Sequence, residues 1–407
     1  MKIAMMVRGY LPVPTPADMI YAPIDLAVAI AEGLTKNGHT VDFYAPLGSK
    51  LKKANIESRG LRPLVDNEHD FNELITNIDK MVHYFPAMWE GVMVKQMFEW
   101  ARAGKYDALH FHHPESAMML GSLYPDVPVL YTLHDPIHDW SREIFELHGS
   151  PNQHFVSISN NQRRDGTDLP YVGTVYNGVD VKDYPFSDKP EDFLLYAGRV
   201  APEKGVKEAI QVAKETNHRL LIIGPIYFLT QGYFEQYIKP HLNDQILYLG
   251  FMEKTQMAAY YQKAKALLTP VQWEEPFGLT TIEAMASGTP VISFRRGAAS
   301  ELIVNGKTGF VVDTTAEMID AVHKIKRIKR QDCRDHVKKN FSTTKMVNGY
   351  EAVFEQIIKE NRRLTARSIR IKLRQVPKAI REASQKNTLR KAVRSSKRSK
   401  QIAKTSK

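Results

Sequence analysis

The sequence predicts an α/β protein made of two doubly wound, parallel-sheet domains that face each other across a cleft. Short apolar runs of strand length alternate with stretches of helical spacing, and this pattern restarts after a polar segment at 183–192. A chain of 407 residues is also too long for a single hydrophobic core. The composition, 43% hydrophobic and 25% charged, excludes collagen-like, disulfide-stapled and wholly disordered chains.

The first half of the chain carries six apolar runs that we expect to be buried strands. They are Lys2–Val7, Val41–Tyr44, Ala108–His112, Val129–His134, Phe155–Ser159 and Val172–Val175. Between the first two, residues 24–37 have the apolar spacing of a helix and are followed by Gly38, a residue that often ends helices. Alternating strands and helices favour a parallel sheet with helices on both faces.

The second half repeats this organisation. We predict strands at Phe193–Ala197, Leu220–Ile223, Ile246–Leu249, Ala266–Thr269 and Val291–Phe294. We predict helices at Val206–Lys214, Thr255–Lys263, Leu279–Ala286, Ala316–Ile328 and Lys345–Glu360. We therefore predict a first domain at 1–185 and a second domain at 190–344. They are followed by a C-terminal helix at 345–360 and a tail at 361–407, and one option is that this helix crosses back to pack on the first domain.

The tail differs from the rest of the chain in charge. Residues 361–407 contain 17 Lys or Arg and one acid, Glu382, whereas residues 1–360 carry a net charge of about −5. Apolar residues recur at helical spacing among these cations, at Ile369, Leu373, Val376 and Ile380. A basic amphipathic segment of this kind can lie on an anionic membrane, whereas the Ser-, Lys- and Arg-rich end favours a solvated tail.

Other features bear on location and partners. No aromatic residue follows Phe354, so base stacking by the tail is excluded and we expect no nucleic-acid partner. The single cysteine, Cys333, fits a reducing compartment, and the start of the chain lacks the features of a signal peptide. We expect a cytoplasmic protein, and one option is that it binds peripherally to the inner face of the membrane.

The most informative segment runs from Glu274 to Pro290. Gly278 permits a tight turn into a predicted helix whose free N–H groups suit a phosphate. Glu275 lies before that helix, and Glu283 lies one turn inside it, where a carboxylate can accept two hydrogen bonds from a vicinal diol such as a ribose. Taken alone, the two glutamates would fit better as a first-turn acid that complements the helix dipole and a solvated acid one turn later.

A second segment, from Gly198 to Gly205, follows a predicted strand directly. Arg199 supplies a fork of N–H donors and Lys204 a point charge, and together they can hold a diphosphate from two directions. Such cations stabilise a leaving diphosphate more strongly as its charge grows in the transition state. Loop cations are also commonly only solvated, so this segment by itself leaves both interpretations open.

Considered together, these residues resemble glycosyltransferase family 4, the retaining, nucleotide-sugar-dependent enzymes of the two-Rossmann GT-B fold. The matching residues are Gly198-Arg199, Lys204-Gly205, Glu275-Pro276-Phe277-Gly278, Glu283-Ala284, Gly288-Thr289-Pro290-Val291-Ile292, Glu301 and Gly306-Lys307-Thr308-Gly309-Phe310. In the first domain, His110-Phe111-His112 and Thr132-Leu133-His134-Asp135 resemble the family's histidine segments at strand ends. The resemblance covers about residues 1–360 and implies the GT-B fold.

The resemblance also implies roles for individual residues. Arg199 and Lys204 would bind the donor diphosphate, and Glu283 would bind the nucleotide ribose. Glu275 and the backbone of Phe277, Gly278, Leu279 and Thr280 would hold the donor sugar and distal phosphate, and Met252 would contact the base. His112 would lie across the cleft near the reacting sugar, and the residues expected to act in catalysis are His112, Arg199, Lys204 and Glu275.

These roles describe a hexosyltransferase that moves a hexose from a nucleoside-diphosphate sugar to an unidentified glycan, lipid-linked or envelope acceptor. No Asp-x-Asp motif occurs in the chain, so we expect no metal and no cofactor. One departure from the family is the stretch from Tyr10 to Tyr21, which lacks the usual pair of glycines. It keeps open a catalytically silent GT-B scaffold as an alternative, beside a sugar-nucleotide epimerase or phosphorylase of the same fold.

Overall fold

The computed structural model describes residues 1–77, 79 and 85–375. The first sheet has seven parallel strands in the order β3-β2-β1-β4-β5-β6-β7. Their bounds are β1 (Lys2–Met6), β2 (Thr40–Tyr44), β3 (Asn55–Glu57), β4 (Ala108–Phe111), β5 (Val129–Thr132), β6 (Gln153–Ser157) and β7 (Tyr171–Thr174). The strand order reverses between β1 and β4, and ligands bind at the carboxyl ends of strands beside such a reversal.

The second sheet has six parallel strands in the order β10-β9-β8-β11-β12-β13. Their bounds are β8 (Phe193–Ala197), β9 (Arg219–Ile223), β10 (Ile246–Tyr248), β11 (Ala266–Thr269), β12 (Val291–Phe294) and β13 (Gly309–Val312). The order reverses between β8 and β11, which places the segments after these two strands at the equivalent ligand-binding position. The predicted α/β architecture of two doubly wound, parallel-sheet domains is thus confirmed.

Helices connect the strands in both domains. The longer ones are α1 (Ala22–Lys36), α2 (Glu68–Thr76), α3 (Phe85–Arg102), α4 (Asp139–His148), α5 (Val206–Glu215), α6 (Lys254–Lys263), α7 (Leu279–Ala286), α8 (Thr315–Lys324), α9 (Arg330–Asn340) and α10 (Thr343–Gln375). Short helices lie at Met118–Gly121, Gln231–Tyr233 and Ala299–Leu302. In α1 the buried residues Ile24, Ala27 and Ile30 form one stripe at helical spacing, which packs on the first sheet.

Some secondary-structure elements differ from the prediction in their ends or in their presence. The predicted strand Ala108–His112 ends at Phe111, so His112 follows β4 rather than belonging to it. The predicted helix Ala316–Ile328 ends at Lys324 and continues as a 3₁₀ turn. Strands β3 and β13, each at an edge of its sheet, were not predicted. Their pairing with β2 and β12 forms them despite a weak sequence signal.

The C-terminal helix returns to the first domain. Met346, Tyr350 and Phe354 of α10 are buried in the same apolar core as strands β1 and β2. The second sheet has a separate core of its own, formed on both faces by its strands and helices. The chain therefore passes between the domains twice, first in the segment after β7 and again just before α10.

A carboxylate joins the two domains beside the cleft. Glu301, in the short helix after β12, accepts hydrogen bonds from the backbone N–H groups of Asn160 and Asn161 at 2.9 and 2.7 Å. The same carboxylate accepts from the Tyr176 hydroxyl at 2.7 Å. Close by, Arg164 of the first domain lies 3.7 Å from Glu274 of the second domain. These contacts join the two domains beside the cleft.

The chain divides at residue 358 into two compact units, and the predicted tail belongs to the second. Of that tail, the structure describes the continuation of α10 to Gln375, while Val376, Ile380 and everything beyond lie outside the described residues. The side chains of Ile369 and Leu373 are also outside the description, so the membrane role of the tail stays a prediction. Over the described ranges, no helix has the length and apolar character needed to span a bilayer.

Candidate functional site

A cleft of about 1070 Å³ lies between the carboxyl ends of the two sheets. Its second-domain wall is formed by residues that follow β8, β9, β10 and β11, and its first-domain wall by the loop before α1, by α2 and by residues after β5. Parallel-sheet domains bind ligands at this position, because the loops and helix N-termini that follow the strands converge there.

Three side chains of the second domain are interlocked in this cleft. Lys204 donates a short hydrogen bond to Oε2 of Glu275, and the indole N–H of Trp273 donates to the same oxygen at 2.9 Å. The Lys204 ammonium also lies 4.5 Å from the centre of the Trp273 ring, within the range of a cation–π contact. The Glu275 carboxylate is therefore held in one orientation by two donors before any ligand is present.

The loop that carries Glu275 is anchored to its neighbours through the backbone. The carbonyl of Glu275 accepts from the Ala298 N–H at 3.0 Å, and the Glu274 carboxylate accepts from the Gly297 N–H at 2.8 Å. A Cβ on Gly297, which has φ +53°, would lie 2.0 Å from the Glu275 carbonyl oxygen, so a larger residue would push the loop away. This close packing holds the backbone of Glu275 against the segment 297–298.

Arg199 and Lys204 enter the cleft from the segment after β8. The Arg199 guanidinium lies 3.5 Å from the Glu203 carboxylate. The backbone carbonyl of Arg199 accepts a hydrogen bond from the Tyr196 hydroxyl at 2.9 Å. Lys204 ends a 3₁₀ turn that begins at Pro202. Both cations line the cleft, and both are paired with a glutamate that also lines it.

Helix α7 points its N-terminus into the cleft. Gly278 occupies the N-cap position with φ +98°, a conformation that residues with a side chain rarely adopt, and this turn directs the backbone from Phe277 to Thr280 along the cleft wall. The N–H groups of a first helical turn lack partners within the helix and favour anionic ligands. Phe277 itself is buried against Phe341, which anchors the start of the helix to the core.

Glu283 lies one turn further along α7 and also lines the cleft. The Tyr261 hydroxyl donates a hydrogen bond to its Oε2 at 3.1 Å. Burial raises the pKa of Glu283 above the usual glutamate value, and the Lys254 ammonium acts in the opposite direction. The Tyr184 hydroxyl also interacts with this carboxylate, and the two tyrosine hydroxyls lower its pKa against the effect of burial.

Two histidines of the first domain form a stacked pair. Nδ1 of His112 lies 2.8 Å from Nε2 of His134, and the ring centres are 5.1 Å apart. His134 lines the cleft, whereas His112 is buried behind it and does not. Burial lowers the pKa of His134 to about 4 and that of His112 well below the ordinary histidine value, so both rings are neutral at pH 7.

A second set of residues that line the cleft is apolar. The loop before α1 contributes Met19 and Ile20, helix α2 contributes Phe71 and Ile75, and the turn after β9 contributes Leu229. We call these five residues the apolar half of the cleft, and Arg199, Lys204, Trp273, Glu275 and Glu283 the polar half. The two halves are parts of the same cavity.

Most of the residues singled out from the sequence meet in this cavity. Those that line it are Arg199, Lys204, Met252, Glu275, Phe277, Gly278, Leu279, Thr280 and Glu283. His112 does not line it, and His134 occupies the cleft surface in front of it. Sequence reasoning did not select Trp273, although its place two residues before Glu275 in a cleft-lining loop was a usable signal. The predicted roles of all these residues stay predictions.

Within the described residues, no group of three His, Cys, Asp or Glu side chains converges as a metal site requires. Two facing parallel-sheet domains with a shared cleft at their carboxyl ends define the GT-B class of glycosyltransferase fold. Family models agree with this class: residues 182–343 match the model described as glycosyl transferases group 1, and residues 26–183 match glycosyltransferase family 4. The chain belongs to this family of transferases.

Individual relatives match over shorter stretches. A lipopolysaccharide 1,2-N-acetylglucosaminetransferase of Salmonella typhimurium is 32% identical over 128 residues, which are 29% of this chain and 34% of that protein. The glycogen synthase of Mycobacterium tuberculosis is 26% identical over 245 residues, 51% of this chain and 56% of that protein. The chain thus spans between a third and a little over half of the length of these relatives.

Solved structures resemble the chain over a larger share of its length. HepE of Anabaena, whose crystal structure contains UDP and glucose, is similar with a TM-score of 0.63 at 15% sequence identity. The match covers 88% of this chain and all of that chain. At this level of identity the similarity shows a shared fold.

Proposed function

We propose that the protein transfers a hexose from a nucleoside-diphosphate sugar to an acceptor, with retention of the anomeric configuration. The observation that carries the proposal is the polar half of the cleft, where two cations, an oriented carboxylate and a helix N-terminus lie on one wall. The family to which the chain belongs, and the UDP and glucose in the HepE crystal structure, support a nucleotide-sugar donor.

The donor diphosphate would lie between Arg199, Lys204 and the N-terminus of α7. Arg199 offers a fork of N–H donors and Lys204 a compact charge, while the first-turn N–H groups of α7 add neutral donors. Lys204 is paired with Glu275 before binding, so the ammonium is already positioned and does not have to be ordered by the ligand. The charge that develops on the leaving diphosphate would be stabilised by these groups.

The remaining donor groups would be held by the two glutamates. The ribose hydroxyls would donate to the Glu283 carboxylate, one oxygen of which also accepts from Tyr261. The sugar hydroxyls would donate to Glu275, whose orientation is fixed by Trp273 and Lys204. On the opposite wall, His134 is neutral and would offer a ring nitrogen rather than a charge to the reacting sugar, and the neutral ring of His112 holds it from behind.

Calorimetric titration with UDP, GDP, ADP and CDP tests the nucleotide part of the proposal. We expect one of the four to bind with micromolar affinity and Glu283→Ala to weaken that binding at least ten-fold, because a hydrogen bond to a charged acceptor contributes about 1.5–3 kcal/mol. Binding of none of the four would contradict the proposal. A nucleotide that binds then selects the sugar donors for a hydrolysis and transfer screen.

The silent scaffold stays a second candidate because of one observation. The loop from Tyr10 to Tyr21 places Met19, Ile20 and Tyr21 in the cleft where the family has a pair of glycines. Slow hydrolysis of the bound nucleotide sugar separates the two candidates: an enzyme hydrolyses it and loses this activity in Glu275→Ala, whereas a scaffold binds it without turnover. Conversion of the donor to an epimer without loss of its nucleotide would indicate the epimerase alternative.

Metal independence is part of the proposal. The charge of the leaving diphosphate would be neutralised by Arg199, Lys204 and the α7 N-terminus. These three groups would together do what a divalent cation does in other phosphate sites. Activity should therefore persist in EDTA. A loss in EDTA that Mn²⁺ or Mg²⁺ restores would contradict this part and leave the donor assignment intact.

A further inference from the structure

We propose that the apolar half of the cleft binds the aliphatic chain of an amphiphilic acceptor, such as a lipid-linked glycan. The inference rests on the proposed function, because it names the class of acceptor that would meet the donor held in the polar half. It concerns the five residues Met19, Ile20, Phe71, Ile75 and Leu229.

Three of these apolar side chains are open to solvent while lining a concave surface. Ile20 is 51% exposed, Ile75 is 41% exposed and Leu229 is 76% exposed. Single exposed apolar residues are ordinary on protein surfaces, but several that converge in one cavity are typical of a site that an apolar ligand covers. Their side chains come from both domains, so a chain lying between them would contact both walls of the cleft.

The segments that carry these apolar residues are held in place by contacts with their neighbours. Phe71 and Ile75 are one turn apart on the same face of α2, and the ring of Tyr21 packs edge-on against Phe71 with centres 6.1 Å apart. The Tyr21 hydroxyl in turn lies 2.6 Å from Nε2 of His113, which fixes the loop that carries Ile20. Across the cleft, the backbone N–H of Tyr227 donates to the Thr230 hydroxyl at 3.2 Å and holds the turn that presents Leu229.

The distribution of charge favours a chain over a sugar polymer or a charged head group. The residues that line the cleft at 15–23, 71–75 and 227–230 include no Asp, Glu, Lys or Arg. The charged lining residues belong to other segments, among them Asp25, Arg199, Lys204, Glu275 and Glu283. A glycan at the apolar half would leave its hydroxyls largely without strong partners, whereas an aliphatic chain needs none.

The test uses octyl and methyl β-D-glucopyranoside as probes, which share a sugar and differ in the chain. Their binding to the full-length protein is measured by calorimetry below the micelle concentration of the octyl compound, with and without saturating nucleotide. Each buried methylene strengthens binding by about four-fold, so an octyl chain with only a few methylenes buried should bind about 50-fold more tightly than the methyl compound. Equal affinities would overturn the proposal.

Variants locate the binding. Ile75→Ser and Leu229→Ser remove exposed methyl groups and should each weaken octyl glucoside binding about five-fold or more, without unfolding the protein. Leu147→Ser is the matched control, because Leu147 is 76% exposed on α4 and does not line the cleft. An equal loss in Leu147→Ser, or no loss in the two cleft variants, would show that the probe binds elsewhere and would overturn the proposal.

Nucleotide binding by the same variants separates this inference from the proposed function. If Ile75→Ser and Leu229→Ser lose octyl glucoside binding and keep nucleotide affinity, the acceptor site is supported. If they lose nucleotide affinity and leave the probe unaffected, the apolar side chains meet each other when the cleft closes on the donor, and the acceptor site is wrong. Probe binding that maps to these residues in a protein that binds no nucleotide would support the site and contradict the donor assignment.

Discussion

The two halves of the cleft present their side chains in opposite ways. In the polar half, Lys204, Trp273 and Glu275 are locked together by directional hydrogen bonds, and the loop beneath them is pinned by backbone contacts. In the apolar half, Ile20, Ile75 and Leu229 are exposed and make no directional contact. Polar recognition requires donors and acceptors at fixed positions, whereas apolar contact depends mainly on buried area.

This difference has a consequence for how each half tolerates change. Loss of one member of the polar half leaves the others misoriented or unpaired, so effects there should be large. Loss of one apolar side chain removes only its own share of contact area. Substitutions in the two halves should therefore differ in the size of their effects.

The largest effect is expected for Glu275→Ala. It removes the proposed hydrogen-bond acceptor for the donor sugar and leaves Lys204 without its partner, so kcat/KM for hydrolysis of the bound nucleotide sugar should fall about 100-fold. Ile75→Ser, in the apolar half, should change this hydrolysis by less than about three-fold. Comparable losses in both variants would show that the two halves do not act separately.

Trp273→Phe should have an intermediate effect. The substitution keeps an aromatic ring over Lys204 but removes the indole N–H that orients Glu275. Hydrolysis of the nucleotide sugar should fall about ten-fold, while affinity for the free nucleotide stays within about three-fold, because Glu275 is proposed to hold the sugar rather than the nucleotide.

Trp140→Phe provides the control for this substitution, since Trp140 is exposed on α4 and lies outside the cleft. It should leave both measurements unchanged. Equal weakening of nucleotide and sugar-nucleotide binding in Trp273→Phe would indicate a general packing role for Trp273 and contradict its role in orienting Glu275.

A smaller effect is expected from the pH dependence of nucleotide binding. Burial raises the pKa of Glu283 above its usual 4.5, and the ionised form accepts hydrogen bonds from a ribose more strongly than the protonated form. Affinity should therefore rise as pH increases from about 4.5 towards neutrality, by up to about ten-fold. In Glu283→Gln this rise should vanish, and an unchanged profile would remove Glu283 from the ribose site.

The smallest effect on the cleft itself is expected from the sheet beneath it, where a substitution should change stability rather than ligand binding. His110 is fully buried, with Nε2 2.8 Å from the Thr132 hydroxyl, and burial lowers its pKa from 6.5 to about 3. Between these values the unfolded chain binds a proton that the folded protein does not, so stability is lost as pH falls below about 6.5.

His110→Leu removes this contribution. The decrease in the free energy of unfolding between pH 7 and pH 5 should be about 1–2 kcal/mol smaller in the variant than in the wild type, as measured by urea denaturation. Identical decreases would mean that His110 titrates normally in the folded protein.

Several features of the protein follow from residues close together in the sequence. The alternation of strands and helices predicted both doubly wound sheets, and all but two strands were located to within a few residues. The segments containing Arg199, Lys204, Glu275 and Glu283 were recognised because their residues and spacing together resemble the motifs of a known family. In a parallel sheet, the strand order alone then brings such segments to one edge.

Other features arise only from contacts between distant segments. The pairing of Lys204 and Trp273 on Glu275, and the position of His134 in front of His112, depend on how loops and strand ends pack in three dimensions. The apolar half assembles from 15–23, 71–75 and 227–230, none of which carries a recognisable motif. Local spacing determines which elements form, whereas the long-range packing of those elements determines which side chains face a ligand together.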